Sequence, residues 1–131
     1  MGIIGFDHFN LSAHREDLER LRAFYVDVVG LELGPRPPSI VRHGYWLYAG
    51  GLPVLHLIEA REGDVRLAHV SGSYNHTAFR CSGYAATLTR LQSLGVEARA
   101  AQDPAQGLRQ LFFKDPMGNG VELAFDLNEG C

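Results

Sequence analysis

Lysine is almost missing from this chain. Of the 12 basic residues only Lys114 is a lysine. No Lys/Arg run is long enough to form a nucleic-acid face, and the net charge of −3 gives a polyanion nothing to hold. Cysteine is scarce too. Cys81 and Cys131 stand far apart, with no CxxC or zinc-ribbon spacing, so a disulfide framework is excluded and a reducing, cytoplasmic setting with two free thiols is expected. Long apolar runs are absent. The longest, Tyr45 to Ile58, is broken by Gly50, Gly51 and Pro53, too short and too interrupted to cross a bilayer. The opening "MGIIGFDHF" has neither a basic start nor a long apolar stretch, so no secretory leader is expected. Phe6 stands where a myristoylation signal wants Ser or Thr. What is present is ordinary for a globular domain: 131 residues, 46% apolar and 21% charged.

The order of elements repeats. "FDHFNLS" (Phe6 to Ser12) reads as a strand. "REDLERLRAFYVDVVG" follows, with Leu18, Leu21, Phe24, Tyr25 and Val28 at helical spacing and Gly30 as its stop. Three strands come next: around Leu31 to Gly34, "YWLYA" (Tyr45 to Ala49), and "VLHLIEA" (Val54 to Ala60), the last two joined by a Gly50-Gly51 turn. The second half repeats this order. It has the strand "YNHTAFRC" (Tyr74 to Cys81) and the helix "YAATLTRLQSLG", with Ser82 as N-cap and Gly95 as C-cap. The strands "VEARA", "RQLFFK" and "GVELAFD" complete it. Each half is therefore β-α-β-β-β, and the expected fold class is α+β. Neither module buries its sheet and helix alone. A single domain over residues 1–131 is expected, with module one at about 1–60, a linker at about 61–73 and module two at about 74–128.

Landmarks on the repeat bring chemistry into register. His8 and His76 lie on the first strands of the two halves, 68 residues apart. His56 and Glu122 lie on the last strands, 66 apart. Three histidines and a glutamate form a donor set for a borderline divalent metal. By alternation, His8 shares a strand face with Asn10, His76 with Ala78 and Arg80, and Glu122 with Ala124 and Asp126. Each is the less apolar face of its strand. His56 is the weak member, because Val54 and Ile58 flank it. On its own it reads first as a core histidine and only second as a ligand. Asn10, Arg36, Trp46, Tyr48, Arg80, Gln110 and Phe112 are candidates for touching a substrate, beside plain surface or core roles. His43, in a loop leading to a strand, is a lesser candidate, while His14 and His69 read as loop residues.

Five segments in order resemble the vicinal oxygen chelate superfamily (glyoxalase, bleomycin resistance protein and extradiol dioxygenase). They are "DHFNLS", "AFYVDVVGLELG", "PVLHL", "NHTAFR" and "QLFFKDPMGNGVEL", the last being the most specific. The resemblance implies two βαβββ modules whose mixed sheets curl around one divalent ion (Zn, Ni, Mn, Co or Fe). It assigns His8, His56, His76 and Glu122 as ligands, Glu122 doubling as a base. It also implies a small-molecule substrate and a homodimer. Many glyoxalase-like members carry Glu or Gln at the place of His56. The function implied is a glyoxalase I-like or epimerase-like lyase or isomerase, in which the metal stabilises an enediolate as a proton leaves carbon. Two alternatives stand beside it. An Fe(II) dioxygenase suits the set of His8, His76 and Glu122, but such enzymes usually have a tyrosine at the place of Phe112 and a histidine shortly upstream, and residues 103 to 109 hold none. A drug-binding resistance protein would need a cavity but no metal.

Overall fold

The computed structural model describes residues 2–70 and 72–129; the thiol expected at Cys131 lies outside them. The chain divides between Leu67 and Ala68 into two compact units.

In the first unit β1 (Phe9–Ala13) leads to α1 (Arg15–Ala23), and β2 (Glu32–Gly34), β3 (Gly44–Ala49) and β4 (Leu52–Glu59) complete a sheet of order β1-β4-β3-β2. The second unit repeats the plan. β5 (His76–Cys81) and α2 (Tyr84–Ser93) precede β6 (Arg99–Asp103), β7 (Leu108–Lys114) and β8 (Gly120–Asp126), in the order β5-β8-β7-β6. In each unit the first strand runs parallel to the last, and the other pairings are antiparallel. The two βαβββ modules of the α+β reading are both present.

One face of each sheet is apolar. In the first unit Leu47, Leu55 and Leu57 are buried with Leu18, Leu21 and Tyr25. In the second Leu111, Phe113, Val121, Leu123 and Phe125 are buried with Leu91. Burying a leucine fully is worth roughly 1.5–3 kcal/mol, so these faces dominate the stability of each unit. The opposite faces are left for the polar candidates.

Several boundaries differ from expectation for local reasons. The first helix is α-helical only to Ala23. Phe24–Val29 widens into a π-helical turn, where the Gly30 and Leu31 amides both donate to the Tyr25 carbonyl, before Gly30 stops it at φ 96°. Ser82 does not cap α2. The N-cap is Gly83, and the Glu129 carboxylate accepts from the Gly83 and Tyr84 amides, a charge well placed at a helix start. Gly95 does end α2: its amide donates to the Gln92 carbonyl and that of Val96 to Leu91. That bond holds Val96 at the helix end, so β6 begins at Arg99. β1 begins at Phe9, where pairing with Leu55 starts, leaving His8 one residue before the strand.

Candidate functional site

The polar faces carry two clusters, one in each unit. In the first, Asn10 and Trp46 pair with His56 from either side in the strand register. The His56 ring lies between two others. His8 stacks on it at 3.7 Å between centroids and Trp46 at 4.0 Å, with interplanar angles of 17° and 7°. His56 Nε2 is buried and has no hydrogen-bond partner among the described residues. The Pro53 backbone lies near the ring and favours its protonated form, though less than burial opposes it. Burial, and then the neighbouring His8, push the His56 pKa below that of a free imidazole. A neutral ring with a bare, inward Nε2 lone pair is the state a metal ligand needs, so these residues fit a metal ion.

In the second unit His76 Nε2 lies 3.2 Å from Glu122 Oε1, and Gln110 Nε2 donates to Glu122 Oε2 at 3.3 Å. Glu122 is only 7% exposed. Phe112 pairs with Glu122 in register and meets the His76 ring edge-on at 6.0 Å. The "DPMGN" turn aims this corner. Buried Asp115 accepts from the Met117 and Asn119 amides and from the Asn119 side chain at 2.8, 3.0 and 3.0 Å, and Gly118 adopts φ 87°. The turn delivers Gly120 and Glu122 to the sheet in fixed register.

A rule links the two clusters. His8 Nδ1 donates to Asp7 Oδ1 at 2.6 Å and His76 Nδ1 to Asn75 Oδ1 at 2.7 Å. His8 and His76, which hold matching places in the two units, thus both have Nδ1 engaged by the side chain just before them. Such outer partners fix the tautomer and raise ligand basicity. Sequence reading missed Asp7 and Asn75, although each directly precedes its histidine. Among the described residues no three of His, Cys, Asp or Glu gather at one point; the four candidates stand as two pairs.

The remaining candidates divide. Arg80 lies four residues beyond His76 on the same exposed face. Arg36 Nη1 donates to the Arg42 carbonyl and Tyr48 to that of Pro35, so both stitch the loop between β2 and β3. His43 belongs to another network, with Nε2 2.9 Å from Glu19 Oε1. Tyr45 and Arg22 donate to the same carboxylate.

The profile of the Glyoxalase/Bleomycin resistance protein/Dioxygenase superfamily matches residues 8–123, and the chain belongs to that superfamily. Its members typically bind a divalent metal. Glyoxylase I 4 of Arabidopsis thaliana is 30% identical over 104 residues, covering 76% of this chain and 59% of that protein, so the chain spans little more than half of this relative. A glyoxalase family protein from Bacillus anthracis superposes with a TM-score of 0.75 at 25% identity, covering 96% of this chain and 98% of that one. A lactoylglutathione lyase from Agrobacterium tumefaciens does so with a TM-score of 0.66 at 23% identity, covering both chains completely.

Proposed function

We propose that the protein is a divalent-metal-dependent lyase or isomerase of the glyoxalase I or epimerase type, acting on a small oxygenated substrate. The observation that carries this reading is the buried, unbonded Nε2 of His56 under the His8 ring, with His76 and Glu122 paired at the corresponding places of the second unit. Two donors are too few for a tight site, so the four residues serve as one ligand set. A bound divalent ion would supply Lewis-acid polarisation of adjacent substrate oxygens. The chain's own part is to move the proton. Glu122 is nearly buried, and Gln110 and His76 hold its two oxygens apart; it takes the proton from carbon, and Gln110 keeps it aimed while it does so. The name of the Arabidopsis relative supports the lyase class.

The test is elemental analysis after reconstitution, with turnover of α-keto-aldehyde thiol adducts by the same samples. About one ion per chain and measurable turnover are expected in wild type, with both lost in Glu122→Ala. Equal metal content in the two proteins overturns the ligand set. Metal without turnover on any such adduct overturns the reaction class. We further assign a homodimer and a cytoplasmic location. Sedimentation showing only a 14.5 kDa species would contradict the former.

A further inference from the structure

Beside His76, wholly within the second unit, lies a cavity of about 380 Å³. Val70, His76, Arg99, Phe112, Lys114 and Gly120 are among its walls. The sheet register explains why a hollow exists there. Gly120 pairs with His76 on one side and with Lys114 on the other, so the three stand in one row on one face. Strands are spaced by about 4.8 Å, which places the backbones of His76 and Lys114 roughly 10 Å apart across a residue with no side chain. A Cβ on Gly120 would lie 2.3 Å from the Asn75 carbonyl oxygen and 2.9 Å from His76 Cβ. The backbone there packs too closely to admit a side chain, so residue 120 sends nothing into the cavity.

Its chemistry is lopsided. Arg99 pairs with Phe112 in register, and its guanidinium lies 4.5 Å from the centre of the Phe112 ring. That stacking orients the planar fork of N–H donors while leaving its edges free. Neither Arg99 nor Lys114, the chain's sole lysine, has a carboxylate partner among the described residues. The nearby acid, Glu122, is already engaged by His76 and Gln110. Two unpaired cations thus flank an aromatic wall.

The geometry points to a carboxylate-binding subsite. The cavity takes the anionic end of a small molecule, with Arg99 and Lys114 on the carboxylate and Phe112 against an apolar body. This rests on the function proposed above in one respect only: the subsite opens beside His76, so a substrate anchored there has its reacting carbons turned toward Glu122. The substrate class becomes a carboxylic acid with an apolar segment between its anionic and reacting ends.

The test uses the full chain stripped of metal by chelation, with phenylacetate and neutral phenylacetamide as probes. Nuclear magnetic resonance titration is expected to show millimolar binding of phenylacetate and at least about tenfold weaker binding of the amide, as charge-assisted hydrogen bonds require. Arg99→Ala and Lys114→Ala should each remove most of that preference, and Arg99→Lys should keep part of it. Both side chains are exposed, so the variants should keep their folded spectra. Phenylacetate, and not the amide, should also slow acetylation of Lys114, read at that single position by mass spectrometry. Equal affinity for the two probes, no binding of either, or a preference that survives the double alanine variant overturns the subsite. Because the titration is done without metal, loss of the metal assignment with the preference intact leaves this inference standing.

Discussion

The two units share one plan and differ at one row of the sheet. By register, His8 in the first unit matches His76 in the second, Val54 matches Gly120, Tyr48 matches Lys114, and Gly34 matches Arg99. In the first unit the row is filled. Val54 supplies the side chain that Gly120 lacks, and Tyr48 bonds to the Pro35 carbonyl while its ring covers Gly34, where a Cβ would meet it at 2.4 Å. In the second unit the same row is hollow and cationic. The ligand positions differ in the same sense. His56 is clamped between the rings of His8 and Trp46, whereas Glu122 faces a single imidazole beside open space. One copy of the repeat holds its candidate ligand between two rings, and the other holds a nearly buried acid beside one imidazole.

The strongest way to break this comparison is to exchange the ligand types. His56→Glu gives the first unit the donor used in the second and should retain metal. His56→Leu should weaken binding by at least about a hundredfold, since a first ligand outweighs the outer-partner effects of 10–100-fold. Metal titration of the two variants decides it. If Leu retains the ion and Glu does not, this histidine belongs to the core. The next effect comes from adding a side chain to that row. Gly120→Val copies the first unit, but the Asn75 carbonyl stands where the new Cβ must go. A loss of about 2–3 kcal/mol is expected by chemical denaturation, from overpacking against backbone. Full stability in that variant would show that the row is softer than its register implies.

The orienting partners come next. Asp7→Ala and Asn75→Ala should each lower metal affinity by about tenfold while leaving stability nearly unchanged, because both residues are exposed and each acts through one histidine nitrogen. Calorimetric titration with metal reads this directly, and unaltered affinity in both would mean that the tautomers are set elsewhere. Asp7 and Asn75 also mark the limit of what could be read from the chain alone. Strand order, Gly30, the Gly50-Gly51 turn and the faces of His76 and Glu122 were legible, because alternation and turn chemistry are local. Stacking of His56 on Trp46 was not legible, since it depends on which residue of β3 stands opposite. The cap from Glu129, 46 residues beyond Gly83, could not be read either, nor could a cavity whose floor is a missing side chain. Arg36 was a candidate because its guanidinium suits an anion, and Tyr48 because of strand alternation; their bonds to the Arg42 and Pro35 carbonyls join residues too far apart in the chain to be read from it.

The smallest effect concerns the helix-facing sides. In the first unit Glu19 of α1 accepts hydrogen bonds from Tyr45 and Arg22 and lies 2.9 Å from His43 Nε2. Burial pushes its pKa up, but the hydrogen bonds from His43, Tyr45 and Arg22 outweigh burial and bring it down to about 2 from 4.5. Glu59 in the same unit is also held low by its hydrogen bond with Arg15. The second unit answers differently. At the place of His43 it has Arg109, lying over the Tyr84 ring with its Nε buried and, among the described residues, unbonded. Above the unfolded value of 4.5 Glu19 is ionised in both states and its contribution is complete. As the pH falls below that, the unfolded chain takes up the proton first, and the contribution shrinks until it is gone near pH 2. Solvent reaches this carboxylate, so the contribution is only about 1 kcal/mol after screening. Hydrogen exchange during acidification should therefore show α1, β3 and β4 losing protection before β7 and β8. Glu19→Gln should remove about that same amount near neutral pH and flatten the acid response of the first unit alone. If the second unit opens first, or the variant leaves the acid response unchanged, then the charged network is not what distinguishes the helix packing of the two halves.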